Sequence, residues 1–82
     1  MNMRKMSIAH VNQLRQVVQS TRRTRKLSQE GLAARLGVSQ NRLSEFEIGK
    51  GLLPIDRIIE LLKILELELV VQDRQPTPLI DY

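Results

Sequence analysis

Apolar residues recur along this chain first at helical spacing and then, near its end, at every second position. Val11, Leu14, Val18 and Thr21 share one stripe with Val17 at its edge, which predicts a first helix over residues 10–25. Leu32 and Leu36 sit four apart, and Leu43 and Phe46 three apart, so each pair occupies one face of its own short helix. Ser28 and Ser39 stand where a side-chain oxygen accepts a hydrogen bond from a first-turn N–H, so both are predicted N-caps. Gly37 falls between the two helices, where the chain must turn through positive φ. Ala33 is small where two helices would cross closely, while Gly31 weakens its helix by about 1 kcal/mol relative to Ala. Gly49 and Gly51 interrupt the chain after the second short helix, and Pro54 suits the first turn of a helix over residues 54–65. Ile55, Ile58, Ile59, Leu61, Leu62 and Leu65 give that helix a wide apolar face.

The period then changes. From Leu65 to Gln72 apolar and polar residues alternate, with Leu65, Leu67, Leu69 and Val71 on one side, and the pair Val70-Val71 favours a strand over a continued helix. No second strand is predicted, and a lone strand leaves its backbone groups unpaired. Pairing of residues 66–73 with the same segment of a second copy resolves this, around Leu67, Leu69, Val70 and Val71. The chain therefore divides into a basic N-terminal arm (1–9), a helical domain (10–65), a dimerisation strand (66–73) and a C-terminal tail (74–82). Pro76 and Pro78 forbid regular structure in the tail, whose Leu79, Ile80 and Tyr82 read either as a docking peptide or as a disordered terminus. The expected fold is all-α, four helices with a C-terminal strand that pairs across a homodimer.

A helix pair joined by a tight turn holds its second helix out as a probe for the DNA major groove. Charge supports that reading. Residues 1–50 hold ten Lys or Arg against Glu30, Glu45 and Glu47, a balance of +7, whereas residues 51–82 carry −3. A basic front half suits a polyanion, although Arg22, Arg23, Arg25 and Lys26 taken alone equally suit the dipole at a helix end. With 82 residues the core is thin, and oligomerisation would help it. No cysteine is present, so a disulfide framework and a thiolate zinc site are both excluded, and too few ligands remain for any metal site. The basic stretch Met1–Met6 is followed by no signal-peptide apolar core, and no uncharged apolar run approaches the ~20 residues of a membrane helix. A soluble cytoplasmic protein without cofactors is expected.

With Leu43, Phe46 and Glu47 turned inward, Asn41, Ser44 and Glu45 point the other way and Gln40 lies at the exposed first turn. Gln and Asn each pair doubly with adenine, and Ser meets any base edge, so Gln40, Asn41 and Ser44 are the candidate base readers. Glu45 either accepts from cytosine or repels phosphate in wrong registers. Gln29 at a helix start, Arg42 beside the reading face and Lys50 in the Gly-bounded loop are the candidate phosphate contacts. Ser39 is foremost a cap, and a cap at the groove is also placed to touch DNA. His10, the sole histidine, reads as a helix-start surface residue, and with no nucleophile, phosphate loop or clustered carboxylates an enzyme is not expected.

The Gln29 start, Ala33, Gly37, the pair Leu43 and Phe46, and the ending Phe46-Glu47-Ile48-Gly49-Lys50 together resemble the helix-turn-helix of the lambdoid repressor and Cro superfamily. That superfamily often ties an Arg of its first helix to the Glu of this ending, which the resemblance carries onto Arg22 and Glu47. Ile58 to Leu65 running directly into Glu66 to Val71 is similar to the HipB-like antitoxins, a likeness that covers residues 10–73. It implies a homodimer that represses its own operon at a palindromic operator of double-stranded DNA, and a HipA-type kinase toxin as protein partner. Two alternatives stay open: a stand-alone phage-type repressor or restriction–modification controller, and an interaction module without DNA binding.

Overall fold

The computed structural model describes residues 5–74, so the start of the arm (1–4) and the tail residues 75–82, with Leu79, Ile80 and Tyr82, lie outside it. Four helices follow one another: α1 (Val11–Thr24), α2 (Gln29–Leu36), α3 (Gln40–Glu47) and α4 (Ile55–Ile64). The starts of α1, α2 and α3 are capped by side chains the sequence puts there. Ser28 Oγ accepts the Gly31 N–H at 2.9 Å, and Ser39 Oγ accepts the Arg42 N–H at 3.1 Å. His10 is the N-cap of α1: its Nδ1 accepts the Asn12 N–H at 3.1 Å while Gln13 Oε1 accepts the His10 N–H at 3.0 Å. That reciprocal pair is a capping box built from residue types outside the usual Ser/Thr and Glu pattern. Pro54 is the N-cap of α4, not a first-turn residue as expected; it has extended backbone (ψ 154°) and no side-chain bond.

The helix ends are more uniform than the sequence suggests. Gly37 takes φ +79° after α2, as the turn requires. After α1, α3 and α4 the chain closes in the same pair of backbone bonds, the Schellman arrangement. In α1 the Leu27 N–H reaches the Arg22 carbonyl and the Lys26 N–H the Arg23 carbonyl, both at 3.0 Å. In α3 the Lys50 N–H reaches the Glu45 carbonyl at 2.8 Å, and in α4 the Leu67 N–H reaches the Leu62 carbonyl at 2.7 Å. The left-handed residue is Gly49 in α3, but Lys26 (φ +58°) in α1 and Glu66 (φ +59°) in α4. Arg25 and Leu65, expected inside their helices, are therefore the C-caps.

Phe46, Leu32, Leu36, Leu43, Leu61, Leu65 and Val18 are fully buried and form the centre of the core, where α2 packs on α3 and α4, and α1 on α3. Three residues assigned to apolar faces stay exposed: Val11, Ile55 and Ile59. Val11 and Ile55 are the first residues of their helices, and Ile59 lies one turn beyond Ile55, so these stripes run past the core that one chain supplies. Among the described residues no strand is present. Glu66, expected to begin one, instead turns α4 off, and Leu67–Arg74 has no regular structure. A strand exists only against a partner backbone, and among the described residues none is paired with this segment. Leu67 packs against the core while Leu69, Val70 and Val71 are exposed, Val71 to 94%. Among the described residues no helix is long and apolar enough to cross a membrane.

Candidate nucleic-acid interface

The second short helix, α3, is anchored by its inward residues and open on the opposite face. Leu43 and Phe46 are fully buried, and Glu47 nearly so, which fixes the rotation of α3 about its axis. Gln40, Asn41 and Arg42 are exposed, while Ser44 and Glu45 are half-buried. Asn41 Nδ2 donates to Glu45 Oε1 at 2.9 Å, one turn along the helix. An amide has two N–H groups and a carbonyl, so Asn41 retains a donor and an acceptor for a base edge after this bond. Glu45 thereby has a definite partner: it orients one of the candidate readers.

Glu47 gathers three helices. Its carboxylate, fully buried, accepts from Arg22 Nε at 2.8 Å, from Arg22 Nη2 at 2.9 Å and from Gln29 Nε2 at 3.0 Å. Arg22 Nη1 also donates to the Leu27 carbonyl at 3.0 Å. Arg22 lies in α1, Gln29 opens α2 and Glu47 closes α3, so one carboxylate sets the mutual orientation of the helix pair and α1. Gln29 was assigned to a phosphate from the sequence. In the structure its amide donates one N–H to Glu47, which leaves its second N–H, together with the first backbone N–H groups of α2, as donors for a phosphate.

Lys50 is exposed, but the loop that carries it is bonded rather than loose. The Lys50 and Gly51 N–H groups both reach the Glu45 carbonyl, at 2.8 and 3.1 Å. From the other side comes Arg15, which the sequence reading did not single out. Its guanidinium donates to Asn12 Oδ1 at 3.0 Å and to the Gly51 carbonyl at 3.2 Å, and lies 5.6 Å from the Phe46 ring centroid. Arg15 is buried, and its Nε has no partner. A signal was available: Arg15, Val18 and Arg22 fall at helical spacing on one face, so an Arg stood on the inward stripe. A lone Arg on a helix ordinarily reads as surface, and the stripe of Val11, Leu14, Val18 and Thr21 passes Arg15 by. Arg57 is a smaller case, reaching the Leu36 carbonyl at the end of α2 at 3.4 Å. Among the described residues no group of three or more His, Cys, Asp or Glu side chains is placed to hold a metal ion.

A family model described as helix-turn-helix matches residues 18–72. No curated protein matches the sequence. Solved structures do: one titled as a HipA-HipB-O2-O3 complex shares 24% identity at a TM-score of 0.76, covering 87% of this chain and 100% of the other. A HipB-O1-O2 complex shares 25% identity at a TM-score of 0.73, covering 84% and 100%. A structure titled "MDT Protein" is similar to the same degree as the first, at 24% and 0.76 over 87% and 100%. The path of the chain through α1–α4 is thus shared with these proteins.

Proposed function

Because this chain belongs to the helix-turn-helix family, we propose that it is a sequence-specific DNA-binding repressor. The observation that carries the reading is the two-sidedness of α3. Leu43, Phe46 and Glu47 lock one face into the core, and the other presents Gln40 and Asn41 with Ser44 beneath them. Exposed amides on a helix whose rotation is fixed are suited to adenine readout in the major groove. Arg42 and Lys50 flank that face as cations for phosphate, and the exposed start of α2 adds backbone donors.

The working unit in this proposal is a homodimer. Residues 68–74 run on from the turn after α4 without backbone partners among the described residues, and Leu69, Val70 and Val71 expose apolar surface there. Antiparallel pairing with a second copy satisfies both, and its two-fold axis matches a palindromic operator. The finer role is that of an antitoxin that represses its own operon and restrains a HipA-type kinase. Its support is the run from α4 into an alternating apolar segment, together with likeness to HipB solved in a complex with HipA. Fluorescence anisotropy on duplexes tiling the region upstream of the protein's own gene tests the core reading. One duplex should bind far more tightly than scrambled DNA of equal length, and equal affinity for all would reject sequence-specific repression.

A further inference from the structure

We infer that Arg15 is a positioning residue for DNA binding, holding the Gly49–Gly51 loop so that Lys50 meets the phosphate backbone already ordered; this rests on the DNA-binding reading above. The residues on both sides of Lys50 touch the same guanidinium. On one side, a Cβ built at Gly49 would lie 2.9 Å from Arg15 Nη1, so the cation packs directly on that backbone, which also takes φ +86°. On the other, Arg15 Nη2 donates to the Gly51 carbonyl at 3.2 Å. Asn12 Oδ1 fixes Nη1 at 3.0 Å, and the Phe46 ring stands beneath the guanidinium carbon at 5.6 Å. The Lys50 N–H is tied to the Glu45 carbonyl of α3. The backbone of Lys50 is therefore pinned from α3 and from α1, while its side chain stays exposed.

A buried Arg whose Nε finds no partner is an expensive way to fill space. Two carbons of an aliphatic chain would cover Phe46 as well. What only a guanidinium supplies here is a donor aimed at the Gly51 carbonyl with a second nitrogen held by α1. Lysine makes its phosphate contact through a flexible stem, so the ordering left to do on binding falls when its backbone is already fixed. Arg15 thus acts on DNA through Lys50 without touching it.

The test is a double-mutant cycle on operator affinity across a salt series, using full-length protein with Arg15→Met, Lys50→Ala and both. Lys50→Ala should make the slope of log affinity against log salt less negative by about 0.9, one phosphate contact. Arg15→Met should weaken binding and shift the slope in the same direction. In the Lys50→Ala background, however, it should change affinity by less than about twofold, the margin within which independent effects add. A merely structural Arg15 would weaken both backgrounds equally, and that result overturns the inference, as does an Arg15→Met protein that binds like the unmutated one. Should Arg15→Met fail to fold, Asn12→Ala removes only the exposed anchor of Nη1; it should show the same dependence on Lys50, and additivity there overturns the inference too. Failure of the unmutated protein to bind any duplex would instead remove the DNA-binding reading itself, which keeps the two outcomes apart.

Discussion

The guanidinium of Arg22 meets the carboxylate of Glu47 edge-on, with Nε and Nη2 at 2.8 and 2.9 Å from its two oxygens, and so joins α1 to the last residue of α3 across 25 positions of sequence. Burial is deep, with side-chain exposure of 9% for Arg22 and none for Glu47. Breaking such a pair from one side leaves an uncompensated charge, a loss of ~3–5 kcal/mol. Glu47→Ala should lose most, because it strands Gln29 Nε2 as well as Arg22. Arg22→Met should lose less than the Coulomb term suggests, since Gln29 still donates to Glu47. Urea denaturation of both single variants and the double should give a clear coupling energy. Independent effects would mean that the pair does not act as a unit.

Two helix ends carry strain that a glycine would relieve. Lys26 and Glu66 sit at φ +58° and +59°, where an L side chain costs roughly 1–2 kcal/mol. Glycine removes that cost and returns ~0.4–1 kcal/mol of it as extra freedom in the unfolded chain. Lys26→Gly should therefore stabilise by about 1 kcal/mol and raise the melting temperature by roughly 4–8 °C for a domain of this size. Glu66→Gly should gain less, because it also removes an exposed ion pair with Arg25 at 3.2 Å, worth about 0–1 kcal/mol. A lower melting temperature for Lys26→Gly would contradict the strain assignment.

These ends also show where the sequence stops being legible. Serine caps, the Gly37 turn and the apolar pairs Leu32/Leu36 and Leu43/Phe46 are local features, and each maps onto one structural consequence. The Schellman turns at Lys26 and Glu66 are not legible, because the usual marker is a glycine and neither position has one. Arg15 was missed for a different reason. Its spacing with Val18 and Arg22 marks it only as inward-facing, while its role depends on Phe46 and Gly51, 31 and 36 positions away, which that spacing does not identify. Gln29 shows the same limit: its position at a helix start suggests an anion, but the buried Glu47 carboxylate 18 positions on competes for its amide. Local periodicity placed the helices, whereas long-range polar partners decided which side chains stay available at the surface.

Base readers and phosphate anchors should separate in binding assays. Gln40→Ala or Asn41→Ala should cost about 1–3 kcal/mol at the cognate site and relax base preference there. Arg42→Ala should weaken cognate and random DNA alike and flatten the salt dependence by about one contact. Glu45→Ala removes the partner of Asn41 and a negative charge near the reading face. It should raise affinity for random duplexes while eroding preference at the position Asn41 reads. If cognate and random DNA respond identically to all four changes, α3 is not the reading element.

Dimerisation should fail when the segment after α4 can no longer donate hydrogen bonds. Leu69→Pro or Val70→Pro removes one backbone donor from the ladder proposed near Leu67, Leu69, Val70 and Val71. Both residues are exposed in the single chain, so neither substitution should unfold the α1–α4 core. Sedimentation velocity at micromolar concentration should show a dimer for the unmutated protein and a shift toward monomer for each variant. An unmutated monomer at that concentration would remove the strand-paired dimer, and with it the two-fold match to a palindromic operator.

A kinase-like toxin, if it is the protein partner, should bind a surface other than α3. The region after residue 50 is acidic, against a basic front half, so the stretch that carries α3 suits DNA better than the stretch that follows it. Among the exposed apolar residues, Ile48, Leu52, Ile55 and Ile59 lie in or beside the stretch from the end of α3 into α4, away from Gln40 and Asn41 in sequence. The toxin should accordingly co-purify with this protein when the two genes are expressed together, and the complex should still shift the operator duplex in a gel. Ile55→Asp and Ile59→Asp should weaken that complex if this stretch of α4 is the contact, with DNA binding by the protein alone unchanged. Deleting Pro76–Tyr82 tests the tail separately, because neither the proposed dimer nor the reading face uses it. Unchanged toxin affinity after that deletion would retire the tail as a docking peptide while leaving the partnership standing. A full-length protein that binds the product of no adjacent gene would instead be a repressor acting alone.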